Sequence, residues 1–271
     1  MRRKSRDESG SQCVCLRSPL DSRPPSGTIR PVKISIVVPA YNEERLLGAS
    51  LVQMQQAAES FRARGWGVEL IVCDNNSTDR TAEIARIAGA IVVFEPVNQI
   101  ARARNRGAAV ATGDWLIFVD ADSHPSRELF ADVAEQIESG HCLAGGSTVQ
   151  LDSRHWLSQA VNAFWNFLSR RGRLLAGSFI FCETATFQAI GGFSDKLYAG
   201  EELELSKRLK ELARVTNRPI VILHRHPLVT SARKLRLYSW REYLRLVFRA
   251  GLNRRTLTDR EACYMWYDGR R

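Results

Sequence analysis

Short apolar runs rich in β-branched residues alternate with longer helix-like stretches from residue 33 onward, and this alternation constrains the fold more than any other feature. Short continuous apolar runs are typical of strands buried on both faces, and intervening helices of about 10–20 residues are typical of βαβ units. The sequence therefore predicts an α/β fold, a Rossmann-like mostly parallel sheet with helices on both faces. The expected strands are residues 34–38, 68–73, 91–94 and 115–119, and the expected helices are residues 43–62, 79–88, 99–111 and 126–139.

The 271 residues, of which 44% are hydrophobic, are enough for one large domain or two small ones with a sizeable core. No apolar run approaches the roughly 18 residues of a transmembrane helix, and the charged N-terminus leads into no apolar signal segment. The six cysteines are scattered and several lie in apolar runs, which is typical of buried thiols in a reducing compartment. We therefore expect a cytoplasmic protein.

The net charge of +10 is concentrated at the two ends of the chain. Residues 1–33 carry eight Lys and Arg against three Asp and Glu, and residues 231–271 carry eleven against four. Residues 1–32 also lack periodic apolar content, so we expect a disordered basic leader there. A basic balance often indicates nucleic acid, but no nucleic-acid motif accompanies it, and binding of nucleic acid is not favoured.

Two segments beyond residue 150 have an apolar face at helical spacing and basic flanks, residues 155–171 and 238–255. One interpretation places them on an anionic membrane surface, with aromatic rings at the level of the lipid headgroups. The other packs them on the catalytic domain or in a dimer contact. We expect residues 231–271 to form a basic amphipathic helical segment in either case.

Polar residues follow each expected strand at the point where it ends. Asp120 and Asp122 come directly after the apolar run 115–119, and Asp74 follows the second strand. Arg104 lies in the helix after the third strand. Because the carboxyl ends of parallel strands share one edge of a sheet, these groups are expected to converge there. Carboxylate oxygens suit Mg²⁺ or Mn²⁺, so the sequence predicts a site for a nucleoside diphosphate with a divalent cation.

Several of these residues also have ordinary structural interpretations. Asp79 follows Ser77 and Thr78 at the start of a helix, which is typical capping chemistry. The arginines at positions 102, 104 and 106 also fit a solvated helix face. Both interpretations stay open at the level of the sequence.

The combination of five motifs in this order resembles the family 2 glycosyltransferases, inverting nucleotide-sugar enzymes of the GT-A fold. The resemblance covers about residues 33–230. It rests on the stretches ISIVVPAYNEE, VCDNNSTD, ARARNRGAAVATGDWLIFVDAD, AIGGFSD and YAGEELELSKRL. It implies a GT-A catalytic domain with a nucleotide-binding half (33–125) and an acceptor half (126–230), followed by the basic C-terminal segment.

The resemblance also implies roles for individual residues on the donor side. The nucleotide-sugar would lie against the residues at the ends of the first, second and fourth expected strands, with Asp74 near the base and Arg104 near the nucleotide. Asp120 would face the ribose, and Asp122 would bind the metal that bridges the diphosphate. The implied donor-binding residues are Pro39, Ala40, Tyr41, Glu43, Asp74, Arg104, Asp120 and Ala121.

The family's catalytic carboxylate lies in an acidic pair shortly after a Gly-Gly-Phe motif, here Gly191–Phe193. Glu201 and Glu202 follow it, so Glu202 is implied as the base that takes the proton of the acceptor hydroxyl, with Glu201 as the alternative. A histidine late in the domain completes the metal site in some GT-A enzymes. His226, or His224 beside it, is the candidate here, and both are also compatible with a structural role.

The Q-x-x-R-W motif that accompanies processive synthesis is missing, since the chain reads LSKRLKEL after the glutamates. We therefore expect a single addition to a glycan or lipid-linked acceptor of the cell envelope, by a cytoplasmic protein that is peripheral on the inner membrane face. The donor would carry UDP, GDP or dTDP. The alternatives are a sugar-nucleotide pyrophosphorylase and a non-catalytic nucleotide-sugar-binding module.

Overall fold

The computed structural model describes residues 31–153, 155–231, 242, 249 and 253–267. The basic leader and nearly all of the helix expected over residues 238–255 therefore lie outside the described residues.

Eight strands and eight α-helices make up the described fold, together with two short 3₁₀ turns near the C-terminus. The strands are β1 (Lys33–Ala40), β2 (Gly67–Asp74), β3 (Ile91–Phe94), β4 (Trp115–Val119), β5 (Ser123–His124), β6 (Ala144–Leu151), β7 (Phe179–Glu183) and β8 (Ile220–Thr230). The helices are α1 (Leu47–Ala57), α2 (Glu59–Arg62), α3 (Thr81–Ile87), α4 (Ile100–Val110), α5 (Arg127–Ser139), α6 (Trp156–Gly172), α7 (Thr184–Ala189) and α8 (Glu201–Thr216). The 3₁₀ turns are Arg254–Thr258 and Tyr264–Trp266.

All eight strands belong to one sheet, in the order β3-β2-β1-β4-β7-β6-β8-β5. The first four strands of this order are parallel, and β6 pairs with β8 in parallel as well. Strand β7 is antiparallel to both of its neighbours, and β5 is antiparallel to β8. The predicted mostly parallel α/β sheet is confirmed. The carboxyl ends of β1, β2 and β4 meet at one edge, as their parallel register requires.

Two apolar cores cover the two faces of the sheet, so the predicted arrangement of helices on both faces is confirmed. Alternate residues of β4 divide between them: Ile117 contacts the core shared with α1, α2 and α5, whereas Phe118 contacts the core shared with α4, α7 and α8. All five residues of β4 are buried. Burial of both faces explains why this strand is continuously apolar rather than alternating.

The expected helix over residues 43–62 is shorter and divided. Asn42 has a left-handed backbone (φ 51°), and a turn separates it from α1, which begins at Leu47. A second short helix, α2, follows Ala58. The turn keeps residues 41–46 at the sheet edge, where they contribute to the site described below.

Helix α6 is the first of the two predicted amphipathic helices, and its apolar side chains are not covered by the described protein. Trp156 is 74% exposed, and Phe164 and Phe167 are each 63% exposed. The packing of this face on the domain is therefore not observed in the described part of the chain. No helix in that part is both long and apolar enough to cross a bilayer.

Candidate active site

The paired aspartates lie at the end of the most buried strand of the sheet. β4 ends at Val119, and Asp120 follows with 22% of its side chain exposed. A tight turn closes from Ser123 N to the Asp120 carbonyl (3.1 Å), and β5 begins immediately after it. Asp120 and Asp122 are therefore fixed between two strands at the sheet edge.

Hydrogen bonds join the loop after β1 to the loop after β2. Asn42 N donates to Ser77 Oγ (3.0 Å), and Thr78 N donates to Asn42 Oδ1 (2.8 Å). Glu43 N donates to Thr81 Oγ1 (2.8 Å) at the start of α3. The polar side chains of these loops thus accept hydrogen bonds from backbone N–H groups, and the joined loops form one wall of a pocket.

This pocket contains seven of the residues expected to hold the donor or its metal and four that the sequence did not indicate. The expected ones are Pro39, Ala40, Tyr41, Glu43, Asp120, Ala121 and Asp122, and the additional ones are Asn75, Asn98, Ile100 and Tyr267. Its volume is about 50 Å³.

Asp74 and Asp79 lie beside the pocket without lining it. Asp74 is buried, and its Oδ1 accepts a hydrogen bond from Ser77 N (3.1 Å), while the neighbouring Asn75 faces the pocket. Asp79 Oδ1 accepts from Thr81 N (3.0 Å) at the start of α3. Partial burial raises the pKa of Asp79, but the hydrogen bonds from Thr81 outweigh it and leave the pKa lowered. The capping interpretation of Asp79 accounts for its position.

Arg104 is completely enclosed and connects the donor pocket to the acidic pair. Its Nη2 donates to Asp120 Oδ1 (2.9 Å) and to the Gly177 carbonyl (2.6 Å), and its Nη1 donates to Glu201 Oε1 (2.8 Å). The guanidinium also lies over the Phe193 ring, 5.2 Å from its centroid. Burial lowers the pKa of Arg104, but the surrounding carboxylates more than compensate and raise it. Arg104 is therefore a buried cation that bridges carboxylates rather than part of a solvated helix face.

Glu201 and Glu202 are the first two residues of α8. Gly200 precedes them in a left-handed conformation (φ 75°) that turns the chain into the helix. Glu201 is buried against Arg104, whereas Glu202 is partly buried. Burial and the neighbouring Glu201 raise the pKa of Glu202 from 4.5 to about 8, although Arg104 acts in the opposite direction. The Glu202 carboxyl group therefore releases its proton at a higher pH than an ordinary glutamate does.

Helix α4 positions the segment that leads into this acidic pair. Asn105 exchanges two hydrogen bonds with the Phe193 backbone (2.8 and 2.9 Å), and Gln99 donates to the carbonyls of Asp195 and Leu197. The same helix carries Arg104. One element therefore orients both the buried cation and the approach to the glutamates.

His226 is not brought together with Asp122. It lies in a bulge of β8, between residues that pair with Ser147 and Val149 of β6, and its Nδ1 is 3.1 Å from Asp132 Oδ2 of α5. His224 is exposed on the same bulge. The expectation that a late histidine joins the aspartates has no support in this geometry, because Asp132 engages the ring.

Tyr267 reaches the donor pocket from the far end of the chain. Its hydroxyl donates to the Tyr198 carbonyl (2.9 Å), and the Tyr198 N–H donates to the Leu257 carbonyl (2.8 Å). Cys263 and Tyr267 are buried beside Ala199. No sequence signal indicated this contact, since Tyr267 belongs to no motif that points to the donor pocket.

The donor set fits a hard divalent cation. The described residues contain no cluster of three or more His, Cys, Asp or Glu side chains suited to a metal ion. Asp120 and Asp122 nevertheless offer two carboxylates one residue apart at the pocket wall. Such a pair suits an ion whose other ligands come from a diphosphate and water.

Comparison with known proteins places the chain in a family. The model of Glycosyl transferase family 2 matches residues 35–190, more than half of the chain. The chain belongs to Glycosyl transferase family 2. The matched region contains the loops after β1 and β2, helix α4 and the Asp120–Asp122 pair, and it ends just before the acidic pair.

Two curated relatives and one solved structure illustrate the similarity. The 4,4'-diaponeurosporenoate glycosyltransferase of Staphylococcus haemolyticus is 39% identical over 102 residues, which cover 35% of this chain and 25% of that protein. The dolichol-phosphate mannosyltransferase of Pyrococcus furiosus is 29% identical over 124 residues, 43% of this chain and 33% of that protein. The match thus spans a third or less of either relative.

The mannosyltransferase PcManGT of Pyrobaculum calidifontis, in complex with GDP-Man and Mn²⁺, superimposes with a TM-score of 0.61 at 18% identity. The alignment covers 82% of this chain and 62% of that chain. This similarity establishes the GT-A fold and confirms the predicted fold family. Membership in family 2 also removes the support for a pyrophosphorylase or a non-catalytic binding module.

Proposed function

We propose that the protein is an inverting glycosyltransferase that moves a sugar from a nucleoside-diphosphate sugar to an acceptor hydroxyl. The observation that carries this proposal is the buried Arg104, which joins Asp120 of the donor pocket to the acidic pair through hydrogen bonds of 2.9 and 2.8 Å. A carboxylate of the donor pocket is thereby held in a fixed relation to the acidic pair, of which Glu202 is the proposed base. Such preorganisation is what a displacement at the anomeric carbon requires.

Glu202 is the proposed general base. An acceptor hydroxyl loses its proton as it attacks the anomeric carbon, and a carboxylate on the attacking side accepts that proton. The pKa of about 8 makes Glu202 a stronger base than an ordinary glutamate. Glu201 is less suited to this role, because its carboxylate is buried and hydrogen-bonded to Arg104. Attack from the face opposite the leaving group inverts the anomeric configuration.

The leaving group is proposed to lie at the Asp120–Asp122 edge. Pro39, Ala40 and Tyr41 would line the nucleoside, with Asp74 behind the base and Ala121 between the aspartates. When bound there, Mg²⁺ or Mn²⁺ neutralises charge on the departing diphosphate. PcManGT, which shares the fold, holds GDP-Man and Mn²⁺. The donor nucleotide of this chain is proposed to be UDP, GDP or dTDP.

The acceptor is proposed to be a lipid-linked or cell-envelope glycan that receives a single sugar. This proposal is supported by two relatives whose names give 4,4'-diaponeurosporenoate and dolichol phosphate. The exposed apolar face of α6 supports a position at the inner membrane face. The division into a nucleotide half (33–125) and an acceptor half (126–230) remains part of this proposal.

A panel of nucleotide sugars tests the reaction. The protein is incubated with UDP-, GDP- and dTDP-sugars and Mn²⁺ or Mg²⁺, with and without membrane extract, and nucleoside diphosphate release is measured. We expect one donor class to be turned over in a metal-dependent way, and ¹H NMR of the product to show the inverted anomer.

Asp122→Asn is the informative variant, because it removes one charge without changing side-chain size. It is expected to abolish the metal dependence together with turnover. Glu135→Gln on the exposed face of α5 is the matched control and is expected to retain activity. Retention of anomeric configuration, or full turnover by Asp122→Asn, would contradict the proposal.

A further inference from the structure

A second concave site lies where the C-terminal ends of α6 and α8 converge. This cleft has a volume of about 630 Å³. Four cationic side chains line it, and no acidic side chain does among the described residues. Its charged and amide-bearing members are Arg171, Arg173, Lys210, Arg214 and Asn217.

The positive charge in the cleft is larger than the negative partial charge of two helix C-termini. Basic residues are common at helix C-termini because each terminus carries about half a negative charge. The two termini together supply about one negative charge, so about three positive charges remain uncompensated. None of the four cations forms a salt bridge with a described residue. Burial, together with Arg214 and Arg173 nearby, lowers the pKa of Lys210. The cations therefore repel one another, and an anion would relieve this repulsion.

The side chains suit a phosphate group in particular. Arginine presents a planar fork of N–H donors that matches two phosphate oxygens, and lysine adds a mobile point charge. Asn217 contributes an amide at the left-handed C-terminus of α8 (φ 53°). A carboxylate would use only one such fork, whereas a phosphate accepts hydrogen bonds from several sides.

The cleft is separate from the donor pocket. The two sites share no lining residue. Lys210 lies eight residues after Glu202 on α8, which is about 12 Å along the helix axis. The cleft is therefore not the diphosphate site of the transfer reaction.

The apolar stripe of α6 ends at this cleft. Residues Ala160, Phe164, Phe167 and Arg171 follow one another at helical spacing, and all four are exposed. Trp156 continues the stripe at the other end with 74% exposure. A phosphate bound in the cleft would lie at the end of this apolar surface. A lipid headgroup lies next to its hydrocarbon chains in the same way.

We propose that the cleft between the ends of α6 and α8 binds a phosphate group, supplied either by the headgroup of an anionic lipid or by a free phosphate. This site is independent of the proposed transfer reaction. It gives the protein an anion-dependent contact on the face that carries the exposed side chains of α6.

Two binding measurements on the full chain distinguish a lipid headgroup from free phosphate. Both are made with EDTA, which suppresses metal-dependent binding at the donor pocket. In the first, inorganic phosphate is titrated by calorimetry at low salt. In the second, flotation is measured with phosphatidylcholine vesicles that contain or lack phosphatidylglycerol. The test variant is Lys210→Gln with Arg214→Gln, and the control with the same change of net charge is Arg86→Gln with Arg127→Gln, two exposed arginines on α3 and α5.

The test variant is expected to weaken binding about tenfold in at least one measurement, while the control binds as the unchanged protein does. The measurement in which the loss occurs identifies the source. Absence of binding in both, or equal binding by the two variants, overturns the proposal. Circular dichroism establishes that the variants are folded, and Arg171→Gln on exposed α6 replaces the test variant if it unfolds. Donor turnover is expected to be unchanged throughout, so failure of this site is distinguishable from failure of the proposed function.

Discussion

Replacement of Glu202 by glutamine is expected to make the protein more stable while removing the proposed base. In the unfolded chain Glu202 ionises with an ordinary pKa of 4.5, whereas in the folded protein burial and Glu201 raise it to about 8. At pH 7 the folded protein therefore holds a proton that the unfolded chain has released. Glutamine has no such proton to take up, so Glu202→Gln avoids this cost.

The size of the effect follows from the difference between the two pKa values. Each pKa unit corresponds to about 1.4 kcal/mol, so at pH 7 the variant is expected to gain about 3 kcal/mol in the free energy of unfolding. Because the folded pKa is the higher one, the contribution of Glu202 to stability is fully present below about pH 4.5 and is lost as the pH rises toward 8. The advantage of the variant should therefore vanish near pH 4.5 and reach its full value above pH 8.

Urea unfolding at a series of pH values measures this difference directly. Glu211→Gln is the matched control, since Glu211 is exposed on the same helix, and its unfolding free energy is expected to change by less than about 0.5 kcal/mol. If Glu202→Gln is only as stable as the unchanged protein at pH 7, or if its added stability does not depend on pH, then burial and Glu201 do not raise the pKa of Glu202 as described.

Three further predictions concern Arg104, Glu202 and Tyr267. Arg104→Met leaves two buried or half-buried carboxylates without their cation and is expected to lower the unfolding free energy by about 3–5 kcal/mol in urea. The kcat/KM for the donor and acceptor pair is expected to rise with pH along a limb near pH 8, since Glu202 must be ionised to accept a proton. A flat profile from about two pH units below that value to about one unit above it would exclude Glu202 as the base. Tyr267→Ala removes a wall of the narrow donor pocket and its hydrogen bond to Tyr198, so stopped-flow association of the donor is expected to be about threefold or more faster.

The sheet could be predicted from the sequence because local patterns determine it. The run 115–119 is apolar throughout, which a strand buried on both faces requires, and Asp120 and Asp122 follow at the edge where ligands bind. The turns after β1 and β2 could also be predicted from their residues, although the helix expected from Glu43 begins only at Leu47. A turn occupies the residues in between, where the N–H groups of Glu43 and Glu44 donate to side chains after β2, and sequence periodicity does not report these contacts.

The interior connections of the site could not be predicted, because they join residues far apart in the chain. Arg104 contacts Glu201 across 97 positions, and the same arginine-rich helix reads equally well as a solvated face. Tyr267 reaches the pocket only because the segment near Leu257 and Tyr198 folds back on it. Neither contact follows from a local sequence pattern, because each depends on how distant segments of the chain fold together.

Donor binding and turnover, measured side by side in Glu202→Gln, separate the role of the donor pocket from that of the base. Because the donor is proposed to bind at the Asp120–Asp122 pocket and the proton to pass to Glu202, the variant is expected to bind the donor within about twofold of the unchanged protein while kcat falls about 10²-fold or more. Glu201→Gln is expected to disturb the Arg104 contact and therefore stability as well. An unchanged kcat in Glu202→Gln would contradict the account.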